Sequence, residues 1–272
     1  MSAAGGGWRL QRMPVHFGPS RGPRQGPDGR PFDWTGSPRR VVYAVDVLSE
    51  RDALAAVLPP GFEPGERPVV TFEVQYLSEL EWLAGRGYAT FSARFPAVFR
   101  GERDSAKGAF LAVMWENLAD PIMSGREELG YSKLYCEIPE PRVLRGEHAI
   151  DCAWLGHRFF ELRMRDLTPA TPPAPAAVDG VLHYKYIPRT GDWGEADVAY
   201  ATLTPAAQPD LVVDSVESGV GEISFLPSRW EDLPTFHHVV DALAALPMRE
   251  VLGARRVTSH GGKDLSDQRR LL

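Results

Sequence analysis

Lysine is scarce in this chain: four residues, Lys107, Lys133, Lys185 and Lys263, stand against twenty-six arginines. Arginine can fill any ordinary surface role for a cation, but its guanidinium does not give up its proton and so cannot become an amine nucleophile. A lysine kept in apolar company is therefore a candidate for covalent chemistry. Positive charge is short overall, with a formal net charge of −6 and an isoelectric point near 5.7. No basic surface of the kind a phosphate backbone requires is available, so nucleic acid is not an expected partner. Only two cysteines occur, Cys136 and Cys152. They are too few for a disulfide framework and lack metal-ligand spacing, and are read as reduced thiols in or near strands. No apolar run approaches the roughly 20 residues that cross a bilayer, and Met1 to Arg12 carries no hydrophobic segment of a secretory signal. A soluble cytoplasmic protein with no membrane partner is the expectation.

What is present is apolar residue in quantity, 43% of a 272-residue chain, enough for a large core. Residues 1–38 are dominated by Gly, Pro and Arg and cannot sustain a helix or central strand, which predicts an arm that wraps a surface or stays mobile, with Met1 to Arg12 dispensable. A single domain is expected over residues 39–272. Strand signals begin at Arg40-Val41-Val42-Tyr43-Ala44-Val45-Asp46. Ser49 is placed as the cap of a short helix reaching Leu58, which Pro59-Pro60-Gly61 ends. Short β-branched or aromatic runs follow at 68–76, 88–95 and 109–115. Runs at 148–155 and 158–164 flank a hairpin turn at Gly156-His157. The Pro/Ala stretch from Thr168 to Ala177 reads as an exposed excursion within the domain, because strand-like sequence resumes at Val181. Further strands are expected at 182–188 and 196–203, and an amphipathic helix from Phe236 to Leu246. The class is mainly β with a few short helices: one antiparallel sheet system, curled into a barrel or stacked as a sandwich.

Lys133 lies in Gly125-Arg126-Glu127-Glu128-Leu129-Gly130-Tyr131-Ser132-Lys133-Leu134-Tyr135. Ser124 through Glu127 has capping-box spacing, which predicts a helical turn starting at Ser124 and stopped by Gly130. Strand alternation then puts Tyr131, Lys133 and Tyr135 on one face and Ser132, Leu134 and Cys136 on the other. On an interior face the amine is desolvated and becomes available to attack a carbonyl. On an outer face the same spacing describes a snorkelling lysine with its stem over the tyrosines. Lys185, between Tyr184 and Tyr186, is the rival nucleophile. His237-His238 has no third ligand at useful spacing and reads as the face of a helix.

The run Gly125-Arg126-Glu127, followed six residues after Glu127 by Lys133, resembles the acetoacetate decarboxylase superfamily, whose usual form is Gly-Arg-Glu, three variable residues, then Tyr-Pro-Lys. Met13-Pro14-Val15-His16-Phe17-Gly18-Pro19, Thr71-Phe72-Glu73 and Leu246-Pro247-Met248-Arg249-Glu250-Val251 extend the likeness over essentially everything from Met13 onward. The resemblance implies an antiparallel cone-like β-barrel around an apolar cavity, homo-oligomeric assembly, and a Schiff base on Lys133. It makes Glu73 a proton-shuttling residue of the site, and Arg126 and Tyr131 candidates for substrate binding, although Arg126 with Glu127 also suits a purely structural role in fixing the turn. A second acidic residue of the decarboxylase site falls at Thr90, and an arginine of that site falls near Arg39 or Arg40. Two departures stand out: Leu134 replaces the second lysine, and Ser132 replaces proline. With the neighbouring cation gone, desolvation is left as the activating influence. The implied activity is that of a Schiff-base-forming lyase on a small oxo acid, decarboxylating it without organic cofactor or metal. A pyruvate-dependent aldolase-dehydratase and a non-catalytic ligand-binding barrel are the alternatives. The expected geometry has Tyr131, Lys133 and Tyr135 facing an enclosed cavity into which Glu73 also points.

Overall fold

The computed structural model describes residues 32–172 and 177–272. Nearly all of the arm expected over residues 1–38 lies outside them, as does part of the Pro/Ala stretch. The described chain is mainly β. Its strands are β1 (Arg39–Leu48), β2 (Phe62–Pro64), β3 (Val69–Leu80), β4 (Arg86–Arg100), β5 (Ser105–Glu116), β6 (Lys133–Tyr135), β7 (Arg142–Leu144), β8 (Glu147–Trp154), β9 (His157–Pro169), β10 (Gly180–Pro188), β11 (Ala196–Pro205), β12 (Val212–Phe225), β13 (Glu250–His260) and β14 (Arg269–Arg270). Three short helices interrupt them: α1 (Arg51–Ala55), α2 (Ala119–Ser124) and α3 (His237–Ala244). No helix among the described residues is long and apolar enough to cross a membrane.

All fourteen strands join one sheet, ordered β14-β11-β10-β5-β4-β3-β1-β13-β12-β9-β8-β7, with β2 on β4 and β6 on β5. This pairing path is open, with β14 at one end and β7 at the other, so strand pairing does not close the barrel that the resemblance implies. Two ladders, β10 with β5 and β5 with β6, are parallel, which departs from the purely antiparallel expectation.

The expected strands are all present, mostly longer than the local signal, because pairing extends a strand beyond its β-branched centre. The turn after β8 is made by Leu155 and Gly156, both at positive φ, the geometry a two-residue hairpin needs. β12 and β13 went unanticipated: Gly219, Gly221 and Gly253 and several polar residues give them the composition of a loop. Gly221 is required there, since a Cβ would lie 2.5 Å from that of Ala254 on β13. Ser49 does not cap α1, whose N-cap is Glu50, and no side-chain cap bond forms. Ser124 does stand at the N-cap of a helical turn, Gly125–Leu129, that Gly130 stops, but like α1 it has no side-chain cap bond, its hydroxyl donating back to the Asp120 carbonyl of α2.

Alternation along β3, β4 and β5 sends Phe72, Val74, Phe91, Ala93, Val113 and Trp115 to one face. Phe159 and Phe160 of β9 and Val240 and Leu243 of α3 close over it to form the core. Phe91 stacks on Phe160 with ring centroids 3.9 Å apart and on Trp115 at 5.2 Å. The opposite face is also buried in part, yet polar: Thr90, Ser92, Glu116 and Lys133 are all sequestered there.

Candidate functional site

Lys133 reaches its position through a short parallel crossover. β5 ends at Glu116, the chain turns through α2 and a π-helical turn at Gly125–Leu129, and β6 returns beside β5 with Met114 opposite Lys133 and Glu116 opposite Tyr135. Gly130 stops the turn at φ +87°, as expected of a left-handed C-cap. Arg126 ties turn and strand together, its guanidinium donating to the Lys133 main-chain carbonyl at 2.9 Å. Gly125 explains the first residue of the motif: a Cβ there would lie 2.5 to 2.6 Å from Cε, Cδ and Nζ of Lys133. Only glycine leaves the lysine its room.

The Lys133 side chain is 3% exposed. Nζ lies 2.8 Å from Glu116 Oε1, donates to the Pro121 carbonyl at 2.9 Å, and sits 5.1 Å from the centroid of the Tyr131 ring. Glu116 is 1% exposed. A buried ammonium beside a buried carboxylate is a pair in which moving one proton leaves both partners neutral. The expectation that burial alone acts on the amine is thus corrected: Glu116, which the sequence reading did not single out, supplies the partner.

Around this pair runs a hydrogen-bonded network. The Gln268 amide nitrogen donates to the Leu129 carbonyl at 2.8 Å and to Thr202 Oγ1 at 3.2 Å. Gln268 Oε1 accepts from Thr204 Oγ1 at 2.7 Å, and Thr204 Oγ1 in turn meets Tyr131 Oη at 2.8 Å and His183 Nε2 at 2.9 Å. His183 is fully buried and stacks on Tyr131 with centroids 3.9 Å apart. Burial first, and the Lys133 ammonium second, hold its pKa down to about 3, so the ring is neutral at ordinary pH.

The other expected residues fall as follows. Register aligns Glu73, Ser92, Met114 and Lys133 across β3, β4, β5 and β6, so Glu73 and Lys133 share a face. They are separated by about 14 Å at the usual strand spacing. Glu73 is instead ion-paired with Arg94. Thr90 sits directly across from Glu116, so a carboxylate is present at the level where the resemblance expects one, but one strand over. Tyr135 is 44% exposed and does not face an enclosed space. Leu134 lies on the apolar side of β6 and packs against the core. Arg39 pairs with Glu79 on the surface, and Arg40 donates to the Gly261 carbonyl. Lys185 donates to the Glu127 carbonyl. It lines a cavity of about 240 Å³ with Arg126, Tyr131, Ser132, Leu134 and Tyr184, in the fork where β10 and β6 diverge; Lys133 is not on that wall. Cys136 and Cys152 are free and buried, and burial pushes the Cys136 thiol well up, which makes it an inert packing residue.

Solved structures share this fold. An acetoacetate decarboxylase from Legionella pneumophila is 18% identical, with 91% of this chain and 92% of that one covered at a TM-score of 0.65. An acetoacetate decarboxylase-like enzyme from Sphingomonas wittichii is 17% identical over 88% and 94%, at 0.63. The enduracididine biosynthesis enzyme MppR, complexed with the condensation product of pyruvate and imidazole 4-carboxaldehyde, is 22% identical over 98% and 99%, also at 0.63. No curated protein sequence gives a match. The family model described as acetoacetate decarboxylase (ADC) matches residues 12–261. That span takes in every strand from β1 to β13 together with the glycine-led turn that seats Lys133, and on it the chain belongs to the acetoacetate decarboxylase family.

Proposed function

We propose that this protein is an imine-forming lyase acting on a small oxo acid, with Lys133 as the nucleophile. The observation that carries the reading is the sequestered Lys133–Glu116 pair at the position of the family motif. Proton transfer to Glu116 releases the free amine, which attacks the substrate carbonyl. Two of the three ammonium protons leave with the carbonyl oxygen as water, relayed by Glu116, and the third remains on the iminium nitrogen. In a 3-oxo acid the iminium accepts the electron pair of the breaking C–C bond as CO₂ departs, and the enamine is then protonated on carbon. Arg126 and Tyr131 frame the lysine; Glu73 belongs to the outer part of the same face.

A second reading uses the same imine. With pyruvate, loss of a proton gives an enamine that adds to an aldehyde and then eliminates water. Leu134 in place of a second lysine favours it, and the MppR likeness, to a protein complexed with a pyruvate condensation product, adds support. Acetoacetate is accordingly expected to be a poor substrate and pyruvate or a bulkier oxo acid a better one.

Borohydride reduction with a panel of 2- and 3-oxo acids, read by mass spectrometry, tests both. Lys133→Ala abolishes the adduct and Lys185→Ala keeps it. Lys133→Arg is as inactive as alanine, because a guanidinium stays protonated. A well-folded protein that gives no adduct with any acid would favour the ligand-binding alternative over the lyase. Rapid decarboxylation of acetoacetate would overturn the substrate preference.

A further inference from the structure

The hydrogen-bond network around Lys133 has only one consistent set of proton positions. The Gln268 amide is oriented by two acceptors of its nitrogen, the Leu129 carbonyl and Thr202 Oγ1, and the Thr202 hydroxyl spends its own proton on the Leu129 carbonyl at 2.9 Å. Gln268 therefore offers oxygen to Thr204, and the single Thr204 proton goes there. Having no further proton, Thr204 Oγ1 must accept from both of its other partners, Tyr131 Oη and His183 Nε2. His183 is thus the Nε2–H tautomer, and Nδ1 carries a bare lone pair.

That lone pair is unusual. Nδ1 of His183 is buried and has no hydrogen-bond partner among the described residues. An unsatisfied acceptor in the interior is a standing cost that a ligand donor would remove. The ring bearing it stacks on Tyr131, the same ring that Lys133 Nζ covers, and Lys133 acts electrostatically on the imidazole. Neither pyruvate nor acetoacetate, as an anion, carries an acidic O–H to donate. The carbinolamine does: when Nζ adds to the carbonyl carbon, the carbonyl oxygen takes up a proton and becomes a hydroxyl.

We propose that His183 Nδ1 is a further catalytic residue, accepting a hydrogen bond from the carbinolamine hydroxyl formed on Lys133 and orienting it until water leaves. The assignment rests on the imine reading above. It gives the Thr204–Gln268 network a purpose, which is to hold the tautomer so that the ring nitrogen away from Thr204 is an acceptor and not a donor. His183 itself gains and loses no proton in the step, which passes through Glu116.

Two substitutions separate acceptor from strut. Asparagine places an amide oxygen near the level of Nδ1 but cannot reach Thr204, whereas glutamine reaches Thr204 and lacks the acceptor where it is needed. The pre-steady-state rate of borohydride-trapped imine formation with pyruvate is expected to fall at least 10-fold in His183→Gln and to recover most of that loss in His183→Asn. The reverse order, or no change in either, overturns the proposal. A second measurement needs neither variant nor imine. Lactate presents a hydroxyl where the carbinolamine has one, and propionate does not. The wild-type protein is expected to bind lactate at least 10-fold more tightly than propionate, with the ¹⁵N resonance of His183 Nδ1 moving on lactate binding while Nε2 stays fixed. Equal affinities and a stationary Nδ1 resonance sink the His183 role even where Lys133 traps pyruvate. Failure to trap pyruvate, with lactate still preferred, sinks the lyase reading and with it the catalytic role of His183, leaving Nδ1 as an acceptor for a bound hydroxyl and no more.

Discussion

A carboxylate and an ammonium withdrawn together from water are held by each other, and taking one away strands the other. Glu116→Leu alone is expected to destabilise the protein by about 3–5 kcal/mol, because Lys133 is left without its buried counter-charge. Lys133→Met and Glu116→Leu combined should cost much less than the two single changes added, since both charges are gone. Chemical denaturation of the four proteins in a double-mutant cycle measures this, and strict additivity would show that the pair does not act as a unit. His183 makes a second prediction at this scale. Its folded-state pKa, about 3, lies below the ordinary 6.5, so the unfolded chain binds the proton first as pH falls. The stabilisation is complete above about pH 6.5 and is lost as pH drops toward 3, at about 1.4 kcal/mol per pH unit within that window. Between pH 6.5 and 5, below which carboxylates begin to dominate, wild type should lose stability more steeply than His183→Asn. Parallel pH profiles would mean that His183 is charged in the fold.

Gly125 couples the π-helical turn to the site. Its φ of −64° is helical and suits alanine, and the clash would be with the mobile end of a lysine instead of backbone. Gly125→Ala is therefore expected to destabilise the protein less than Glu116→Leu does, since both charges of the pair remain, while displacing the Lys133 amine and slowing imine trapping at least 10-fold. A fully active Gly125→Ala would show that the lysine has room to spare. The elements themselves were legible in sequence wherever burial wrote a pattern: the aromatic and β-branched runs of β3, β4 and β5 announce strands because one of their faces is the core. β12 and β13 were not, since Gly221 is there to let strands approach and Gly219 interrupts any alternation. Glu116 and His183 were hidden for another reason. Glu116 meets Lys133 across a parallel pair made by a crossover, and His183 arrives from β10 to stack on Tyr131; no local spacing encodes which strands become neighbours. The lysine was legible because a motif around it is local.

For the molecule as a whole, family membership leads to an expectation of assembly. Static light scattering at micromolar concentration should give a multiple of the 30.1 kDa chain mass, and a monomer mass would exclude it. Sheet order also carries a kinetic consequence. β1 pairs on one side with β3, a neighbour in sequence, and on the other with β13, about two hundred residues away. β1, β3, β4 and β5 can zip up locally, as can β8 with β9 and β10 with β11, but the two halves of the sheet unite only when the far end of the chain returns to β1. Loop closure of that span makes the β1–β13 junction a late and slow event. Until β13 is seated between them, β1 and β12 each present a bare row of amides and carbonyls, the template on which chains pair with one another. A chain ending before Glu250 keeps both edges exposed for good, and is expected to accumulate as aggregate during refolding under conditions where the 272-residue chain returns to solution.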